Sequence, residues 1–598
     1  MVDDASDPEP PARPRCALTA VNGPLALHVV LAALGLSACT GEVMVPGGGA
    51  AGIPGSDPAR PGPGPGRPTP GTPPPSGPSQ PDPECASEDP LALESGAKRM
   101  TAAQFEHAVR DLFGGRVDVP STFPESRTGI GATGYSNEPS VNLTSDADAA
   151  AMVETTEAIA LSLSTPQVLE AVLPCAASAP GRDCALDFVD RYGARAFRRP
   201  LTQDERGALI GAFDRTAGDG GSFGDGVAVL AQALLLSPQF LHFVDEGQAT
   251  GDAVALDGYS LAQRLAALVW DSIPDEALLD RARRGELSRP EVLEAETRRL
   301  LADPRASQGL GRWVREWLML GELAEADKDP ARYPDYDRAL AADMEEELVR
   351  FTVDAFRRGR TIGSLLTSTE TFVNEALARH YGLAVPPLGP NEWVPATLPA
   401  DERSGILTRA AFLSAHASRS ESSYVRRGYT IRKRLFCEAF NAPPADALTR
   451  QPTYPEDATG RERSEILRAV PDCSGCHELM DPVGLAFETF DAVGRHRTTM
   501  PAGQPIDPSG EVIGVPDPVG FVDDARRLSE ALADNATVQS CFVRQVLRFS
   551  LGRLDDRPGD ACAVSRIEAA LDAADGRLDA LLVALVTSEA FRYRRSEP

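Results

Sequence analysis

Apolar residues recurring every three or four positions dominate the chain from Ala97 onward, bounded by Pro, Gly, Ser and Asp. That spacing lines them up on one face of an α-helix, whereas a half-buried strand would alternate. The pattern predicts a mostly α body. Phe105, Val109 and Leu112 fall on one face of an early helix, and Thr202-Gln203-Asp204-Glu205 has the capping-box pattern that opens another. The same reasoning places helices near 147–164, 224–236, 259–271, 289–302, 306–320, 337–358, 405–416, 424–436, 526–551 and 577–592. Strand signal is sparse: Ile506 to Ile513 reads as a small turn or hairpin. No internal repeat of fixed period is visible.

A single core stops growing well short of 598 residues, so several domains are expected. Loop-rich breaks near 174–184, 383–402 and 514–524 divide the body into 97–174, 175–245, 246–385, 386–515 and 516–598, with 386–515 as the cofactor-binding segment described below. Ahead of them, Leu25 to Ala38 is apolar but too short to span a bilayer, and it ends in small residues like the core of an export signal. Residues 1–38 therefore read as a signal peptide. Leu36-Ser37-Ala38-Cys39 resembles a bacterial lipobox, which implies lipidation of Cys39; Thr40 stands where an inner-membrane retention aspartate would sit, so the resemblance implies an outer-membrane anchor facing periplasm or cell surface. An ordinary signal peptide, or a buried helix with a chance cysteine, is the alternative, and the acidic leader Met1 to Pro14 is atypical of a charged signal n-region. Residues 39–96 would then hold the anchor and a tether, because Pro46 to Pro83 is Pro/Gly-rich with almost nothing to bury.

The chain carries 87 acidic and 59 basic residues, a net charge of −28. Such a field repels nucleic acid and favours a basic protein partner. No nucleic-acid partner is expected.

Cys473-Ser474-Gly475-Cys476-His477 has the spacing of a c-type haem attachment site. Two thiols add to the haem vinyl groups and the adjacent histidine binds the iron, so all three must share one tight turn. Cys473 and Cys476 would form the thioethers and His477 the proximal ligand of a single covalent haem c. The export signal independently places the chain where that attachment occurs. A zinc site would need further ligands of similar type, and no second CxxC or HxxxH is present; a Cys473–Cys476 disulfide remains an alternative. The second axial ligand is not evident. Met480 would lie on the same side of the haem plane as His477 and is rejected; His496 and Met500 in the downstream loop are candidates, His380 and His416 read as ordinary helical histidines, and an open sixth position would permit peroxide chemistry.

Six further cysteines, Cys85, Cys175, Cys184, Cys437, Cys541 and Cys562, suit disulfides in an oxidising compartment. Sequence proximity suggests Cys175 with Cys184 and Cys541 with Cys562, although connectivity cannot be deduced. Asp481, Glu488 and Asp491 follow the haem motif; a cation or acid–base site is one reading, helix capping or pairing with Arg495 and Arg497 the more ordinary one. No GxSxG, HExxH, Walker loop or Rossmann fingerprint occurs.

Several ordered motifs resemble a known family: Arg99-Met100-Thr101 with Gln104-Phe105, Phe197-Arg198-Arg199-Pro200, Leu236-Ser237-Pro238-Gln239-Phe240, Ala262-Gln263-Arg264-Leu265, Phe372-Val373-Asn374-Glu375, Arg403-Ser404-Gly405, Arg427-Gly428, Asp481-Pro482-Val483-Gly484 and Leu551-Gly552-Arg553. The chain is similar, from about Lys98 to Phe591, to exported cytochrome-c-like proteins of planctomycetes and myxobacteria built from serial domains of unknown function. That resemblance implies haem binding and extracytoplasmic electron transfer with a redox partner protein. A haem-dependent oxidoreductase and a haem-free scaffold lipoprotein are the alternatives. Many relatives carry a separate cytochrome domain with its own CxxCH; this chain has a single CxxCH. Bland readings suit most other motifs: Phe197-Arg198-Arg199-Pro200 as a helix end, Ser237-Pro238 as a helix break, Arg264 and Trp270 as packing and pairing residues.

Overall fold

A computed structural model describes Cys85, residues 91–126, 131–440 and 452–596, except 322, 386, 390, 456, 502, 516–518 and 558. The signal, Cys39 and nearly all of the tether lie outside the described residues.

The body is mostly helical. Thr101 caps the first helix, Ala102–Phe113, with the reciprocal Gln104 bond of a capping box, and Phe105, Val109 and Leu112 are all buried. Thr202 and Glu205 form the second box at the start of Gln203–Gly218. Helices Asp146–Leu163, Phe223–Leu235, Gly258–Val269, Pro290–Ala302, Ala306–Trp317, Arg338–Arg357 and Tyr424–Leu435 follow the apolar periodicity. The expected 526–551 helix is two, Ala525–Ala533 and Ala536–Leu551, because the Asn535 side chain caps a new start. Likewise 405–416 is a 3₁₀ turn, Ile406–Thr408, followed by Ala410–Ala415.

Short antiparallel ribbons accompany the helices. Gly247–Thr250 pairs Ala253–Leu256, which pairs Tyr593–Arg595 near the end of the chain, and Glu370–Val373 pairs Val394–Thr397. Within the expected hairpin, Gly510–Glu511 pairs Phe521–Val522 rather than an adjacent strand.

Burial gathers into two large apolar clusters among the described residues. Met100 to Phe243, joined by Ile273, form one; Leu256 to Phe591, joined by Leu93 and Tyr135, form the other. No described helix is long and apolar enough to cross a membrane.

Among the described residues three disulfides staple this body. Cys175 is bonded to Cys184. The suggested Cys541–Cys562 pair is corrected: Cys541 is bonded to Cys437, and Cys562 to Cys85. Helix packing decides the partners, since Cys541 lies on Ala536–Leu551 against the end of Tyr424–Leu435, whereas Cys562 lies on the following helix, Asp560–Asp572.

Candidate functional site

Cys473, Cys476 and His477 lie on one helix, Pro471–Leu485, with Pro471 at its first position, where a missing N–H costs nothing. Its two halves differ. From Met480 to Leu485 it is buried, while Cys476 is exposed and Cys473 and His477 are half-buried. The buried half crosses Tyr424–Leu435 backbone to backbone: a Cβ on Gly428 would overlap the Met480 carbonyl, and one on Gly484 the Tyr424 carbonyl. Only glycine permits that approach.

Buried arginines of Tyr424–Leu435 fix the crossing. Arg427 donates to the carbonyls of Leu413, Phe487, Phe490 and Asp491 at 2.7–3.0 Å. Arg432 Nε donates to the Leu479 carbonyl at 2.9 Å and a terminal nitrogen to that of Ile513 at 2.6 Å. The exposed half is thereby held as the end of a clamped rod.

His477 is oriented from beneath. Its Nδ1 lies 2.9 Å from Oδ1 of Asp481, one helical turn on, and the Asp481 side chain is fully buried. Ser464 Oγ donates to the other carboxylate oxygen at 2.7 Å. A carboxylate accepts, so Nδ1 carries the proton and Nε2 keeps its lone pair. Tyr424 and Tyr454 complete the surroundings: burial, then the charge of Asp481, pushes both phenols up, and the Cys473 thiol adds to the effect on Tyr454.

Cys473 and Cys476 are free thiols, not bonded to each other. Two thiols three residues apart followed by an imidazole with a free Nε2 are the donors that a c-type haem takes, so the residues fit that group. Because the helix continues past His477, Met480 is on the same rod and is buried beneath it. His416 is buried, its Nε2 2.8 Å from the Leu318 carbonyl. His496 Nδ1 faces Glu402 at 3.4 Å, Met500 closes a turn with Gln504, and His380 lies edge-on to Tyr381.

The three acids of the motif separate. Asp481 holds His477, Asp491 Oδ1 accepts from the amides of Val493 and Arg495 at 2.9 Å, and Glu488 faces Arg497 at 3.6 Å. Arg495 pairs with Asp335 instead. No group of three or more His, Cys, Asp or Glu side chains among the described residues is arranged to hold a metal ion. Sequence reasoning missed the role of Asp481, although its i, i+4 spacing from His477 on a helix was the available signal. Nothing in the sequence marked Ser464.

Four family models match in tandem, all described as Protein of unknown function: DUF1595 at 184–245, DUF1592 at 256–383, DUF1588 at 403–500 and DUF1585 at 521–591. Residues 184–591 therefore hold these domains in series. The helix that carries the CxxCH turn and its glycine-crossed partner both fall within the DUF1588 match. No curated protein and no solved structure matches the chain.

Motif residues outside this helix have structural work. Arg198 is buried, with φ 58°, and donates to the carbonyls of Gln239, Phe240 and His242. Arg264 pairs with Asp245 at 2.7 Å, and Trp270 Nε1 donates to the Leu300 carbonyl at 2.9 Å.

Proposed function

We propose that the chain is a c-type electron-transfer lipoprotein, anchored to the outer membrane through Cys39, with one haem joined to Cys473 and Cys476 and bound by His477. The observation that carries this reading is the donor set on a single helix, with His477 held through Nδ1 by buried Asp481 so that Nε2 is free. Bound there, haem would supply one-electron redox chemistry. The chain's contribution is orientation: the clamped helix fixes the spacing of the thiols, and Asp481 fixes the tautomer and ring plane of His477. The −28 charge suits a basic redox partner, whose association should weaken as salt rises.

The test is production in a host competent in haem attachment. Covalent haem by mass and a reduced α-band are expected, and Cys476→Ala should keep a single thioether. Full-length protein without covalent haem would sink the proposal. Palmitate labelling that persists in Cys39→Ala would refute the anchor.

The Asp481 bond also favours a second reading, a haem oxidoreductase with an open sixth position, because a carboxylate makes the proximal imidazole more basic. High-spin iron that binds cyanide or carbon monoxide would select it; a low-spin spectrum unchanged by either would select electron transfer.

A further inference from the structure

A cavity of about 680 Å³ opens far along the sequence from the CxxCH helix. Its walls come from the first helix, Ala102–Phe113, from Glu125, Ser126, Gly134 and Ser136, from Asp271 just after Gly258–Val269, from the region of Ala306–Trp317, and from Arg338–Arg357. The size suits a small organic molecule.

Asp271 is fully buried and stands at φ 54°, in the left-handed region, and Met319, also on the wall, at φ 52°. Such backbone in non-glycine residues persists only where surrounding contacts impose it, and it gathers at ligand sites. Arg312 holds one Asp271 oxygen, Oδ1, at 2.8 Å and also reaches Ser136 Oγ at 3.2 Å. The other oxygen, Oδ2, is buried and accepts no hydrogen bond, and the same is true of Gln308 Oε1. His107 Nδ1 lies 3.2 Å from the Asp271 backbone carbonyl and 3.4 Å from Oδ2. A carbonyl only accepts, so Nδ1 carries the proton and Nε2 presents a lone pair.

Two buried acceptors on this cavity, Asp271 Oδ2 and Gln308 Oε1, therefore lack hydrogen-bond donors, and His107 Nε2 offers a further lone pair. Buried acceptors are costly when unmet. Arg312 is shared by Asp271 at 2.8 Å and Glu316 at 3.5 Å, while Arg315 and Glu346 on the same wall pair with Glu345 and Arg350, so the buried acceptors lack donors although the ionised groups around them have partners in the chain. An ammonium ion would meet the Arg312 guanidinium as a like charge, whereas hydroxyl groups would not. Ala103 and Val349 add an apolar surface for carbon-bound hydrogens.

We infer that this cavity is a binding site for an uncharged, hydroxyl-rich small molecule, a sugar of one or two rings, whose hydroxyls donate to Asp271, Gln308 and His107. The site is independent of the proposed haem.

Calorimetric titration of the full chain with glucose, galactose, mannose, xylose, cellobiose and maltose tests it. Saturable one-to-one binding of at least one sugar is expected, weakened tenfold or more by His107→Leu, which removes an acceptor, and by Ala103→Leu, which fills the cavity without touching the polar network. Circular dichroism and melting temperature should show both variants folded. Asp271→Ala is avoided because it would strand buried Arg312. No saturable binding by any of these sugars would overturn the inference, as would binding that both folded variants leave unchanged. Tighter binding of 1,4-diaminobutane at matched ionic strength, lost in Ala103→Leu, would overturn the uncharged class.

Discussion

Asp481 sits where one side chain decides how another presents itself. With both oxygens occupied, by His477 Nδ1 at 2.9 Å and Ser464 Oγ at 2.7 Å, it keeps its charge directed at the imidazole from a fully buried position. Asp481→Asn keeps the shape and removes the charge. In haem-loaded protein it should raise the reduction potential, because a less basic ligand stabilises ferric iron less. An unchanged or lowered midpoint in potentiometric titration would refute that role. A second residue-scale effect concerns His416, which burial pushes down to about 4. Unfolded, it titrates near 6.5, so between those values the unfolded chain binds the extra proton and stability falls as pH falls. Below about 4 and above about 6.5 this contribution is flat. Taking about 1.4 kcal/mol per pH unit, the loss approaches about 3 kcal/mol. His416→Gln should flatten that acid limb in urea titrations run from pH 7 to pH 4; parallel losses in both proteins would exclude His416 as the cause.

Between elements, the Tyr424–Leu435 and Pro471–Leu485 crossing matters most to the site, since it turns the CxxCH half of a helix into a fixed platform. Gly428→Ala drives a Cβ into the Met480 carbonyl. Overpacking of this kind costs about 1–3 kcal/mol, and more where backbone must move. Chemical denaturation should show at least that loss; a neutral variant would mean the two helices can part freely. The contrast with Arg427-Gly428 as read in the sequence is instructive. Helix existence was legible there because apolar residues recur at helical spacing, and the CxxCH turn was legible from spacing alone. The burial of Arg427, Arg432 and Arg434 was not, since a run of basic residues on a helix ordinarily faces water, and only the fold reveals the carbonyls they satisfy. Strands escaped for a different reason. Ala253–Leu256 is four residues long and finds its second partner at Tyr593–Arg595, a pairing that no local window contains. The Cys85–Cys562 link is hidden in the same way, by a separation of 477 residues.

At the scale of the whole molecule, four family domains do not make four cores. Residues from the DUF1592, DUF1588 and DUF1585 matches contribute to one apolar cluster, with Leu93 and Tyr135, while Met100 to Phe243, with Ile273, build the other. Segments that share a core lose their packing together, whereas two cores joined by fewer contacts can melt apart. Calorimetric unfolding should therefore exceed two-state behaviour, with the van't Hoff enthalpy below the calorimetric one and two transitions resolvable. The disulfides assign them. Cys175–Cys184 lies within the first cluster's segment, whereas Cys85–Cys562 and Cys437–Cys541 brace the second. Cys437→Ser with Cys541→Ser removes a link closing 104 residues and should cost about 2–5 kcal/mol. That loss should appear in one transition and leave the other in place. A single transition with matching enthalpies, shifted as a unit by this double variant, would show that the two clusters fold as one, and the platform beneath His477 would then draw its rigidity from the entire body.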